Sequence, residues 1–287
     1  MKLSVVIGCL NEYKVIHQQL DAFAQQKWSQ PWELIIADNG STDGTLEKVR
    51  SYKGKIPNLR IVDASSLRGV AYARNAGCKV ASGESVAFCD ADDVVGEGWV
   101  AAMGEAVDRL DFVACRVDFS QINPPWALRS RTSTQYHGLQ KHDYPPYLDH
   151  AGGATLAIKK HIHDRIGGFD ETLLSLEDTD YCWRVQLEGV KLHFVPEAVL
   201  HVRLRSSLSA MCRQSRRWAE YNVLLYKIYR ARGMPPIPWH IGPRIWLHLL
   251  RRCPALFSET ARPEWLWEVN WALGRLIGSL KHRVYGL

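Results

Sequence analysis

Short apolar runs alternate with helical periodicity through the first half of the chain. LSVVIGCL (residues 3–10) reads as a strand, and Tyr13, Ile16, Leu20 and Phe23 then recur at helical spacing. WELIIAD (32–38) reads as a second strand, followed by the turn NGSTDGT, in which Ser41, Thr42 or Asp43 can cap a helix starting near Thr45. LRIVDAS (59–65), ESVAFCD (84–90) and DFVACRVDFS (111–120) read as further strands, with a helix through AYARNAGCKVAS after the third. Strands alternating with helices predict an α/β protein built on a doubly wound, mostly parallel sheet.

Residues 120–150 carry four prolines and no periodicity, which predicts a long connection over the site. His137, His142 and His150 lie there at a spacing that specifies no metal site and read as surface histidines. A second unit follows: GGATLAIKK, then GGFDETLLSLEDTDYCWRVQLEG, then the strand-like VKLHFVPEAVLHV. In its predicted helix, Tyr181, Cys182, Val185 and Leu187 form an apolar face. Residues 207–232 read as a long basic helix. The expected organisation is 1–119 and 120–232 as two halves of one catalytic domain and 233–287 as a basic aromatic tail.

Charge is unevenly placed along this pattern. Residues 202–287 hold 15 of the 36 Lys and Arg but only 4 of the 30 Asp and Glu, a balance of +11 that leaves −5 on the other 201 residues. A basic tail on an acidic body points to an anionic partner for the tail. The seven cysteines are scattered, include no CxxC pair and predict reduced, mostly buried thiols in a cytosolic protein. No run reaches the roughly 18 apolar residues of a membrane span, and the first strand is too soon interrupted for a signal peptide. The expected location is the cytoplasm, at the inner face of the membrane if the tail binds it.

Ligands of such sheets sit outside the carboxyl ends of the strands, where Asn11, Glu12, Asp38 and the cluster Asp90, Asp92, Asp93 all fall. Two unit charges about 4 Å apart repel by roughly 4 kcal/mol at an effective dielectric near 20, so the cluster is costly unless solvent or a cation offsets it. A divalent cation bridging to a diphosphate offsets it well, and hard cations take oxygen ligands. The plainer reading of each strand-end Asp is a turn or helix cap. Glu177 and Asp178 open a helix, where Asp178 or Asp180 serves either as an N-cap or as a general base for an attacking hydroxyl.

The series VVIGCLNE, IIADNGSTDGT, RNAG, FCDADD, GGATLAIKK, GGFDETLLSLEDTDYCWRVQLEG and VPEAVLHV resembles family 2 glycosyltransferases of the GT-A fold, over about residues 3–230. The resemblance implies a Rossmann-like domain and inverting transfer of a sugar from a nucleotide diphosphate donor, with Mn2+ or Mg2+ as cofactor. It further implies that Asp38 contacts the nucleobase, that Asn11 and Glu12 lie against the nucleoside, that Arg74 holds the donor side, and that Asp90 takes the ribose or sugar. Asp92 would bind the metal, with His201 a further metal or diphosphate contact. Asp178 would be the base, Glu177 and Asp180 would support the acceptor end, and Gly152 and Gly153 would let the acceptor sugar approach the backbone.

The chemistry agrees with these roles, because an inverting displacement needs a base opposite the leaving group and a cation to neutralise the departing diphosphate. Arg203, Arg205, Arg213, Arg216 and Arg217 either add charge beside that diphosphate or form a solvated helix face. The expected donor is a UDP- or dTDP-sugar and the expected acceptor a cell-envelope glycan or lipid-linked precursor. Alternatives are transfer to a polyprenyl phosphate or a small secondary metabolite, and a catalytically silent nucleotide-sugar binder at the membrane; intact Asp90, Asp92 and Asp178 argue against silence. In PEWLWEVNWALGRLIGSLKHRVYGL (263–287), Trp265, Trp267, Trp271, Leu273 and Ile277 interleave with Arg275, Lys281 and Arg283. Such a helix either lies in the interface of an anionic bilayer or packs on the catalytic domain or in a dimer. Gly274 and Gly278 form a GxxxG in a segment too charged for a membrane-spanning dimer. No nucleic-acid recognition fold accompanies the basic tail.

Overall fold

The computed structural model describes residues 2–56, 58–130, 134–142 and 145–286. The sequence-predicted connection over the site falls partly on 131–133 and 143–144, outside the described residues. Two compact units are present: Met1–Asp118 with Thr134–Gln140 and Asp149–Val202, and Phe119–Ser133 with Lys141–Leu148 and Arg203–Leu287.

The first unit carries a sheet whose strands are β1 (Leu3–Cys9), β2 (Trp32–Asp38), β3 (Leu59–Asp63), β4 (Ser85–Asp90), β5 (Val94–Val95), β6 (Phe112–Asp118), β7 (Leu156–Lys159) and β8 (His193–His201). Their order is β3-β2-β1-β4-β7-β6-β8-β5. The helices of this unit are α1 (Ile16–Ala24), α2 (Thr45–Arg50), α3 (Val70–Val80) and α4 (Trp99–Leu110) in the first half; α6 (Lys160–Arg165) and α7 (Glu177–Leu187) lie in the second. The short α5 (Pro125–Leu128) belongs to the other unit.

Both faces of β1 are covered, which explains its unbroken apolar run. Leu3, Val5, Ile7 and Cys9 join one core cluster with α1 and α4 residues such as Leu20, Phe23 and Trp99, and Val6 joins another with Phe88, Phe169 and Tyr181 on the opposite face. Ile16, Leu20 and Phe23 are buried as the helical spacing predicts, whereas Tyr13 stays exposed before the helix starts. Leu187 is also exposed, at the last turn of α7 where the chain leaves the core.

The chain runs β1, β2, β3 to one side and then crosses to β4 on the other, so the order reverses beside β1. That switch point opens a crevice at the strand carboxyl ends. The registers Cys9↔Asp38, Asp38↔Asp63 and Gly8↔Asp90 set three strand-end aspartates at one level of that rim. Beyond β4 the sheet becomes mixed: β7 is antiparallel to both β4 and β6, and β5 is antiparallel to β8, so four of the seven pairings are parallel.

In the second unit the basic helix is α8 (Leu208–Arg230), followed by α9 (Ile241–Arg251) and α10 (Arg262–His282). Ser207 caps α8, its hydroxyl accepting from the Ala210 N–H. The GxxxG of α10 is a close contact with α8: a Cβ on Gly274 would collide with the Arg216 carbonyl, and one on Gly278 would sit 2.9 Å from the Glu220 carbonyl. Trp267 packs edge-on against Trp218, and its carbonyl accepts from Ser215 Oγ at 2.7 Å. The tail helix is therefore a packing element of this unit. Gly274→Val should lower stability by about 1–3 kcal/mol through forced separation of the two helices, read as a lower melting temperature; an unchanged melt would mean they do not pack this closely in solution.

His142 also departs from its surface reading. Its Nε2 lies 3.1 Å from Asn222 Nδ2, and Asn222 Oδ1 accepts from the buried Arg275 at 2.8 Å. Burial, with the Arg275 charge adding to it, pushes the imidazole down to about 4, so this network is neutral at its histidine.

Candidate active site

Two strand-end loops form one side of the rim. Asn11 adopts left-handed backbone (φ 57°), which asparagine tolerates, and this turns its N–H onto Ser41 Oγ (3.0 Å) and its Oδ1 onto the Thr42 N–H (2.8 Å). The Glu12 N–H donates to Thr45 Oγ1 at 2.9 Å. The Asp38 carboxylate accepts from the N–H groups of Gly40 and Ser41, so the strand-end aspartate holds its own turn. The loops after β1 and β2 thus form one cross-linked shelf, with Asp38 at its buried edge.

Asn39 organises the same shelf, and sequence reasoning passed over it. Buried, it donates through Nδ2 to the Leu67 carbonyl (2.7 Å) and accepts the Gly69 N–H (3.0 Å), fixing the loop that leads into α3. An Asn inside NGSTDGT looks like any turn residue. Its reach over 28 positions to Leu67 is a tertiary fact.

Helix α3 supplies the centre of the site through consecutive residues. Arg74 is buried; its Nη2 donates to Asp90 Oδ1 at 2.7 Å and its Nη1 to Glu177 Oε1 at 3.0 Å. Asn75 clamps the GGFDE loop, exchanging hydrogen bonds of 2.9 Å with both the N–H and carbonyl of Phe169 and donating to Glu171 Oε1 at 2.8 Å. Gly168 in that loop has φ 72°, and a Cβ there would sit 2.6 Å from Asn75 Oδ1, so the position needs glycine on both counts.

Asp178 lies beside this centre. Its Oδ2 accepts the Gly153 N–H at 2.9 Å and its Oδ1 the Thr179 N–H at 2.7 Å. A Cβ on Gly153 would collide with the Arg74 guanidinium, so the absence of a side chain is what lets backbone, arginine and carboxylate meet. Gly152 precedes it, its N–H bonded to Gln135 Oε1 at 3.0 Å. Leu176 enters α7 through a left-handed residue (φ 58°), a strained entry that delivers Glu177 and Asp178 at the helix start, where the dipole favours negative charge.

The electrostatics follow from burial. Desolvation, with the charge of Asp178 behind it, pushes Glu177 up to about 7, and desolvation likewise raises Asp178 despite its two N–H donors. Burial alone would lower Arg74, but Asp90, Glu177 and Asp178 outweigh it and hold the guanidinium charged. One arginine against three carboxylates leaves the site negative. Asp180, also buried, turns away from this centre and pairs with Arg184 Nε at 2.7 Å; Arg184 in turn donates to the carbonyls of Ile166 and Gly168. Asp180 thereby braces the loop before α7.

The end of β4 and the residues after it offer a donor set for a cation. One carboxylate oxygen from each of Asp90, Asp92 and Asp93 lies within 4.8 Å of the other two, a spacing that an oxygen-preferring divalent ion fits. Asp93 is the most buried of the three. The pairing Val94↔His201 sets the end of β8 against the strand that follows the cluster. His201 is buried, and its Nδ1 lies 3.2 Å from Asp118 Oδ2.

Residues 4–167 match the family model described as glycosyl transferase family 2. The chain belongs to glycosyltransferase family 2. This family 2 chain is 26% identical over 200 residues to the glycosyltransferase AglE of Haloferax volcanii, covering 69% of the chain and 65% of AglE. It is 24% identical over 231 residues to the poly-beta-1,6-N-acetyl-D-glucosamine synthase of Staphylococcus epidermidis, covering 78% of the chain and 55% of the synthase. The chain thus spans less than two thirds of the length of these relatives. Among solved structures, the mannosyltransferase PcManGT from Pyrobaculum calidifontis in complex with GDP-Man and Mn2+ superposes with a TM-score of 0.59 at 20% identity, over 98% of this chain and 75% of that one. S. aureus TarS 1–349 in complex with UDP-GlcNAc superposes with a TM-score of 0.54 at 17% identity, over 99% and 93%. These likenesses establish the GT-A fold.

Proposed function

We propose that this protein is an inverting, metal-dependent hexosyltransferase that moves a sugar from a UDP- or dTDP-sugar to a hydroxyl of a cell-envelope glycan or lipid-linked precursor. The observation that carries the reading is the buried Arg74, which ties the donor-side Asp90 to the Glu177–Asp178 pair of α7. A pure binder has no use for a carboxylate held ready as a base beside the cation cluster. Named complexes of structural neighbours with UDP-GlcNAc and with GDP-Man and Mn2+ support a nucleotide-sugar donor.

In this reading Asn11, Glu12 and Asp38 hold the nucleoside on the cross-linked shelf, and Asp38 faces the ring N–H that uracil and thymine share. Asp90 takes the ribose or sugar, steadied by Arg74. Asp92, with Asp90, Asp93 and His201 beside it, would hold Mn2+ or Mg2+, which when bound neutralises the departing diphosphate. Gly152 and Gly153 let the acceptor sugar approach the backbone, Glu177 supports that end, and Asp180 serves it indirectly by bracing the loop before α7 through Arg184. Asp178 accepts the proton of the acceptor hydroxyl as its oxygen attacks the anomeric carbon. The bond from that carbon to the diphosphate oxygen breaks, and the nucleoside diphosphate leaves.

A panel of sugar nucleotides with Mn2+ should include one that raises the melting temperature by mass action and is slowly hydrolysed. EDTA or Asp92→Ala should abolish that hydrolysis. A panel in which no sugar nucleotide shifts the melt, or hydrolysis that survives both treatments, would overturn the metal-dependent reading.

A further inference from the structure

The second unit exposes an apolar and basic surface on the segment before α10, on α9 and the turn that follows it. Trp239 is 77% exposed, Leu250 67% and Phe257 84%, values far outside those of packed side chains. Within α9, Pro243, Leu247 and Leu250 are all exposed and recur at i, i+4 and i+7, so they share one stripe. Arg244, His248 and Arg251 repeat the same spacing one position on and form an exposed basic stripe beside it. The opposite face of α9, with Ile241, Gly242 and Leu249, is buried. The helix is held in place independently of this surface: Trp265 Nε1 donates to the Leu249 carbonyl at 3.1 Å, and Arg252 pairs with Glu264 and Glu268 at 2.9 and 2.7 Å.

Charge identifies the occupant. The 38 residues between Glu220 and Glu259 hold six Lys or Arg and no Asp or Glu, and among the described residues no salt bridge engages Arg244 or Arg251. An apolar stripe flanked by cations, with Trp and Phe at either end, matches a surface that is hydrocarbon below and anionic above. We propose that residues 239–257 dock this protein on an anionic lipid bilayer, with Leu247, Leu250 and Phe257 entering the acyl boundary and Arg244 and Arg251 meeting lipid phosphates. No helix among the described residues is long and apolar enough to cross a membrane, so this contact is interfacial. Docking of this kind needs neither donor nor acceptor.

The test is sedimentation of the full-length protein with phosphatidylcholine vesicles, with and without phosphatidylglycerol. Wild type should pellet with the anionic vesicles and stay in solution with the neutral ones. Leu250→Glu combined with Phe257→Glu should remove pelleting while leaving the melting temperature unchanged, since both side chains are exposed. Arg244→Gln with Arg251→Gln should weaken partitioning roughly 25-fold, about fivefold for each arginine at ~1 kcal/mol per basic residue near an anionic surface. Undiminished pelleting of the Glu variant, or equal pelleting with both vesicle types, overturns the proposal. So does a self-associated species in gel filtration that the Glu variant dissociates while wild type ignores vesicles, because the stripe would then cover a second copy of the chain.

Discussion

Asp178→Asn should lower the rate of sugar transfer by about 10²–10⁴-fold, the usual worth of a positioned general base, while the donor dissociation constant stays within about threefold of wild type. Asparagine keeps the size of the side chain and one acceptor oxygen but cannot take up a proton. The present carboxylate accepts N–H groups from Gly153 and Thr179 on different oxygens, so one of these faces an amide NH2 in the variant, at a cost of about 1–3 kcal/mol. Turnover should therefore fall far more than stability. In wild type, only the deprotonated carboxylate takes the proton, and burial raises Asp178 as it raises Glu177, which reaches about 7. Transfer should decline as pH falls, along an acid limb above the ordinary aspartate range. Loss of donor affinity in step with turnover would mean that Asp178 serves the donor and that the base lies elsewhere.

The rim of this site was legible in the sequence because it follows from local rules. A buried parallel strand ends where its apolar run ends, so Asn11, Glu12, Asp38 and Asp90 had to fall at one edge; the registers align Asp38 and Asp90 with the end of β1, and Asn11 and Glu12 follow it directly. The central role of Arg74 was less legible. Its bond to Glu177 spans 103 positions and exists because α3 and the start of α7 flank the same crevice; an Arg in RNAG gives no sign of that on its own. Order within the sheet was also hidden. LAIK is four residues long and reads alike in either direction, so nothing local announces that β7 enters antiparallel between β4 and β6. In the tail, the glycines of α10 carried the information that the tryptophans obscured. Gly274 and Gly278 mark a tight contact with α8, and α9 before it carries an exposed apolar stripe of its own.

Arg74→Met should destabilise the protein by about 3–5 kcal/mol, because it removes the cation that pairs buried Glu177 and part-exposed Asp90 while leaving both carboxylates in place. For a protein of this size that is a fall in melting temperature of roughly 6–20 °C. The loss should depend on pH in a definite sense. Glu177 already binds its proton more tightly in the folded chain, at about 7, than an ordinary glutamate, and without the guanidinium opposing burial its affinity rises further. The folded variant then holds more protons than the unfolded chain at neutral pH, so its stability falls as pH rises and partly recovers as pH is lowered towards the ordinary glutamate value. Arg74→Lys should lie between wild type and Arg74→Met, since an ammonium keeps the charge but cannot reach Asp90 and Glu177 with the two arms of a planar fork. A variant Arg74→Met that melts with wild type at neutral pH, or that loses stability on acidification, would show that the guanidinium is not what holds these carboxylates together.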